Sequence, residues 1–102
     1  IQVDGCDVSK EMLSLCPKDV HTFHFDVCTT QNIWKWDAWD TGFCRGVFMY
    51  FDGVEFQNAI ETISRMVRKK ILVYEWDFVC ERIKKVSNDP KFEYHVILQK
   101  EE

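Results

Sequence analysis

Hydrophobic and polar positions alternate along this chain in two rhythms, one of strands and one of helices. Ile1 to about Cys6 reads as a short strand, followed by a turn and a helix opened by Ser9, whose hydroxyl can accept from free backbone N–H groups. Pro17 stops that helix. Val20 to Phe25, VHTFHF, has the alternation of a strand, and the polar, tryptophan-bearing stretch from Thr29 to Thr41 reads as loop with a short helical turn. Cys44 to Phe51, CRGVFMYF, predicts a buried strand running into Asp52 and Gly53, and Asp52 with Glu55 forms a capping pair. Phe56, Ala59, Ile60, Ile63, Met66 and Val67 then fall on one face at three-four spacing, the strongest periodic signal in the chain. Lys70 to Trp76, KILVYEW, predicts a parallel strand covered on both faces, and Asp77 caps a helix through about Val86. After the turn cluster Ser87 to Pro90, Phe92 to Gln99 alternates as a last strand.

Strand and helix thus alternate over most of the length, which predicts an α/β fold with a mostly parallel sheet, right-handed crossovers and ligands at the carboxyl ends of the strands. With 102 residues the chain holds one domain or part of one. No internal repeat, low-complexity tract or linker interrupts it. Its hydrophobic fraction of 46% against 29% charged residues is that of a chain that packs a core.

The formal charge of -4 argues against a general nucleic-acid or anionic-membrane binder, which needs a basic face. Arg65, Arg68, Lys69 and Lys70 are expected to end the long helix, where cations offset its dipole. The cysteines at 6, 16, 28, 44 and 80 are odd in number, widely spaced and never in a CxxC pair. They signal neither a disulfide framework nor a metal site, and a reducing, cytoplasmic setting fits them best. No apolar run is long enough for a membrane span. The chain opens on Ile1, inside an expected strand, as a segment preceded by more sequence would.

An acidic residue at the carboxyl end of an early strand can accept hydrogen bonds from ribose hydroxyls, and Asp7 fits that place, although it can equally cap the following helix. Asp26 follows the next strand, where a carboxylate can accept from the exocyclic amine of adenine or simply start a turn. The segment VDGCDVSKEML, residues 3–13, resembles the second motif of class I S-adenosylmethionine-dependent methyltransferases, and FHFDVC resembles their third. GFCRGVFMYFDGVEFQNAIETISRMVRKKILVYEW resembles their fourth strand, following helix and fifth strand, so the likeness covers nearly the whole chain. It implies a Rossmann-like methyltransferase sheet, mostly parallel with an antiparallel last strand and incomplete at its N-terminal side. It also implies S-adenosylmethionine as cofactor, with Asp7 on the ribose, Asp26 on the adenine amine, Val8 and Val27 on the adenine faces, and Arg45 to Tyr50 near the reacting methyl group.

One departure limits that likeness. The family's glycine-rich first motif holds the methionine half of the cofactor by close backbone approach, and Gly5, Gly42, Gly46 and Gly53 are not so arranged. In the family the first strand lies between the second and the fourth, so its absence is expected to leave two facing, unpaired sheet edges. A preceding segment, a partner chain or a homo-oligomer would complete the sheet.

Tyr50, Glu75 and His95 are the candidates for a catalytic group, although an isolated histidine on a strand such as His95 is more often a hydrogen-bonded structural residue. Asp77 shares the strand end with Glu75, while His21 and His24 carry no signal. Trp34, Trp36 and Trp39 either roof a substrate pocket or close over a core or interface. The activity expected of the complete protein is methyl transfer to a small-molecule or protein acceptor. A non-catalytic, methyltransferase-like interaction module and another adenosylmethionine-using enzyme such as a lyase are the alternatives.

Overall fold

The computed structural model describes residues 3–28 and 37–97. In chain order these form β1 (Asp4–Asp7), α1 (Lys10–Ser14), β2 (His21–His24), β3 (Trp39–Arg45), a 3-10 turn at Phe48–Tyr50, α2 (Gly53–Met66), β4 (Val67–Glu75), α3 (Asp77–Val86) and β5 (Phe92–Val96). Strands β1 and β2 pair in parallel as one sheet, and β3, β4 and β5 form a second sheet that is parallel throughout. The α/β class is as expected, and so is the division of the sheet in two. The antiparallel last strand is not: β5 runs parallel to β4, from Ile71 opposite Phe92 to Glu75 opposite Val96. Helix α3 spans the sheet between them and returns the chain to the end where β4 began, which makes β4–α3–β5 a parallel crossover unit.

The core lies between the larger sheet and α2 and α3. Phe56, Ala59, Ile60 and Ile63 of α2 and Val79 and Ile83 of α3 share one buried cluster with Cys44, Ile71, Val73 and Phe92. Successive β3–α2–β4 and β4–α3–β5 crossovers step the same way across the sheet, so their common hand puts both helices on one face. On the opposite face Phe43, Tyr74 and His95 form an aromatic row across the three strands, with Tyr74 stacked on His95 at 4.6 Å.

Several local expectations are corrected. Strand β3 runs Trp39–Arg45 rather than Cys44 to Phe51, so Trp39 to Thr41 leave the expected loop and residues 46–51 leave the strand. Gly46, at φ 62° in the left-handed region, turns the chain there, and Phe48 is folded fully into the core. Helix α2 passes directly into β4, so Val67 is the strand's first residue and Arg68, Lys69 and Lys70 are strand residues, not dipole partners. Arg68 pairs with Asp40, and Lys70 approaches Glu93 at 3.8 Å. Asp52 occupies the N-cap position of α2 without a side-chain cap bond, and Trp76, not Asp77, precedes α3. Ser9 does cap α1, accepting from the Met12 N–H at 3.3 Å.

Two contacts tie the sheets together. The Trp39 indole donates to Asp4 Oδ2 at 2.7 Å and stacks on Phe23 with ring centroids 5.6 Å apart. Trp39 thus closes an internal interface rather than roofing a pocket, while Trp34 and Trp36 lie outside the described residues, as does most of the expected loop.

Candidate functional site at the carboxyl ends of the strands

Because β1 and β2 are parallel and in register, with Asp7 opposite His24, their carboxyl ends bring two acidic residues to one edge. Asp7 ends β1, and its carbonyl accepts the Phe25 N–H at 3.1 Å, which fixes where the chain leaves β2. Its carboxylate Oδ1 accepts the Ser9 N–H at 2.8 Å, ordering the turn into α1. Among the described residues Oδ2 takes no hydrogen bond, so one acceptor oxygen stays available. Asp26 comes just after β2, is exposed, and accepts the Cys28 N–H at 2.9 Å. Val8 between the turn residues is exposed, and its carbonyl lies 2.7 Å from His24 Nε2. Val27 packs partly against the core cluster. Asp7, Val8, Asp26 and Val27 therefore gather at one sheet end, each carboxylate also holding a turn.

The larger sheet contributes a different arrangement. Arg45 ends β3 and is exposed. Beyond Gly46 the 3-10 turn presents Tyr50, 78% exposed, while Phe48 anchors the turn in the core. Glu75, the last residue of β4, is fully buried. Its Oε2 accepts the Phe48 N–H at 2.8 Å, and the backbone N–H groups of Val47 and Met49 also favour its charge. Its Oε1 is buried without a partner. Burial pushes this carboxyl group above its ordinary value, against the opposing pull of those amides. Asp77, by contrast, is exposed. His95 lies 2.9 Å from Glu93 Oε2 and stacks on Tyr74, a hydrogen-bonded surface residue on the sheet face opposite the helices.

The anchoring of residues 47–49 by Glu75 went beyond the sequence reading, which had Glu75 as a candidate catalytic group at a strand end. A signal was there: Ile71, Val73 and Glu75 share one phase of the strand alternation, which places Glu75 on the buried face. Burial pushes Cys44 to about 12, with Cys6 and Glu75 adding to it, and burial followed by Asp26 and Glu55 pushes Cys28 to about 11. Among the described residues no group of three or more His, Cys, Asp or Glu side chains is placed to hold a metal ion, and no helix is long and apolar enough to cross a membrane.

The β1–β2 end thus presents one available acceptor oxygen on Asp7, a second carboxylate, Asp26, one strand over, and the exposed Val8 side chain between. Among the described residues no glycine-rich loop is formed: Gly5 and Gly42 lie within strands, Gly46 turns the chain after β3, and Gly53 opens α2. Comparison of the chain with models of known families, with curated proteins and with solved structures finds no match.

Proposed function

We propose that the complete protein binds S-adenosylmethionine and transfers its methyl group to a small-molecule or protein nucleophile. The observation that carries this reading is the placement of Asp7 and Asp26 at neighbouring carboxyl ends of parallel strands, with an oxygen of Asp7 unspent. Asp7 receives the ribose hydroxyls, Asp26 the adenine amine, and Val8 and Val27 the ring faces. Arg45 and Tyr50 stand at the strand end where the acceptor arrives. The cofactor's sulfonium already activates the methyl group, so positioning of the nucleophile supplies much of the acceleration. Calorimetric titration of the complete protein with S-adenosylmethionine, followed by transfer of labelled methyl to candidate acceptors, tests the reading. Micromolar binding and labelled product support it, and no binding at millimolar cofactor refutes it.

A second reading draws on the two separate sheets. Among the described residues β1 pairs with β2 alone and β3 with β4 alone, so each presents an edge that a further strand could pair with. A preceding segment, a partner chain or a second copy that pairs there would complete the sheet, and in an interaction module that pairing would be the function itself. Cofactor titration separates the two, because an interaction module binds its partner without S-adenosylmethionine.

A further inference from the structure

Glu75 is a buried ionisable group with one oxygen left unpartnered among the described residues. It is fully buried at the end of β4, with Oε2 on the Phe48 amide and Oε1 enclosed without a partner. No cation among the described residues pairs with it. The groups around it are neutral: on β3 the Cys44 thiol, which burial pushes up to about 12; on α3 the Cys80 thiol, whose sulfur lies 3.9 Å from the Glu75 carbonyl and which burial also pushes up; on β5 the apolar Val96, and just beyond it Ile97. Asp77, Glu81 and Lys84 of α3 act on Cys80. Within the 46–51 segment only Tyr50 can titrate, and it points to solvent.

The amides of residues 47–49 reach Glu75, Phe48 fills the core with Val47 and Phe51 packed against it, the Gly46 N–H donates to the Tyr74 carbonyl at 3.1 Å, and the Phe51 carbonyl accepts from Arg82 at 3.4 Å. The segment carries the exposed Met49 and Tyr50 at the carboxyl end of the sheet. We propose that residues 46–51 are a proton-linked gate, closed over neutral Glu75 and opened as that carboxyl group ionises. A buried carboxylate whose second oxygen has no donor among the described residues costs more to bury than the neutral acid. Opening the segment lets water reach Oε1, so opening and proton release are coupled. In the open state Glu75 titrates as an ordinary carboxyl group, and in the closed state above it. Between those two values each pH unit raises the open-to-closed ratio by up to about tenfold, and above the closed value the ratio is flat. This gate does not depend on which ligand the sheet end receives.

Hydrogen exchange of the Val47, Phe48 and Met49 amides in the full protein, corrected for intrinsic rates, reads the gate directly. Protection should fall with rising pH by up to about tenfold per unit across that window. In Glu75→Gln, which keeps the acceptor for Phe48 and has no proton to lose, protection should be higher at neutral pH and independent of pH. Carbon-13 carboxyl NMR of the unmodified protein should show one glutamate titrating above the rest, and that signal should be missing from Glu75→Gln. The gate is overturned if Glu75 titrates with the exposed glutamates, if protection in the unmodified protein does not vary with pH, or if Glu75→Gln keeps the same slope. Should Glu75→Gln fail to fold, the carboxyl titration and the exchange profile of the unmodified protein still decide.

Discussion

Replacing Asp7 by Asn and by Ala separates its two roles, because the structure assigns its two oxygens differently. Oδ1 accepts the Ser9 N–H at 2.8 Å in a half-buried turn, and Oδ2 has no partner among the described residues. Asn keeps a carbonyl oxygen for Ser9, so Asp7→Asn should change folding stability by less than about 0.5 kcal/mol. Ala removes that acceptor and should cost about 0.5–1.5 kcal/mol. Ligand binding should not follow the same order. A ribose hydroxyl donating to a carboxylate makes a charge-assisted bond worth roughly 1.5–3 kcal/mol, and the Asn amide would present a donor where an acceptor is needed. Both variants should therefore weaken S-adenosylmethionine binding by roughly ten- to hundredfold, although only one is destabilised. Calorimetric titration beside thermal unfolding of each variant in the complete protein measures both quantities. If Asp7→Asn binds as tightly as the unmodified protein while Asp7→Ala loses affinity only in step with stability, Asp7 is a turn residue and the ribose assignment fails.

Three further expectations concern the scaffold. Thr62 is fully buried in α2 with Oγ1 unpartnered, so the near-isosteric Thr62→Val should stabilise the fold by about 1 kcal/mol, read as a rise in Tm of roughly 4–8 °C, and a fall in Tm would mean the hydroxyl has a partner. Burial raises the Asp89 carboxyl, but hydrogen bonds from the Ser64 hydroxyl and Lys91 N–H and the Lys91 ammonium outweigh it, holding Asp89 below its ordinary value. Its stabilising contribution is thus complete above about pH 4 and disappears as pH falls through its lowered value, so unfolding of Asp89→Asn followed against pH should show lower stability at neutral pH and a flatter acid limb. Trp39→Phe keeps an aromatic ring against Phe23 but removes the indole donor to Asp4, and should cost about 1 kcal/mol; a double-mutant cycle with Asp4→Ala that shows no coupling would mean this bond does not join the two sheets.

What the sequence determined by itself is the part carried by local pattern. The three-four stripe from Phe56 to Met66 is buried in α2 as its spacing requires, Ser9 caps α1, and Asp7 ends β1, because side-chain period and capping chemistry depend on near neighbours. The α/β alternation was legible for the same reason. Tertiary contacts decided the rest. An apolar run such as VFMYF satisfies a strand or an inserted turn equally well, and the choice fell to Gly46 and to the pocket that receives Phe48 between α2 and the sheet. Whether Arg68 to Lys70 close a helix or open a strand depended on β3 lying alongside to supply backbone partners and Asp40. The direction of β5 depended on where α3 delivered the chain. The phase that buries Glu75 is visible in KILVYEW, but the amides that face it come from residues 47–49, 26 or more positions away, and no local pattern encodes a contact at that distance.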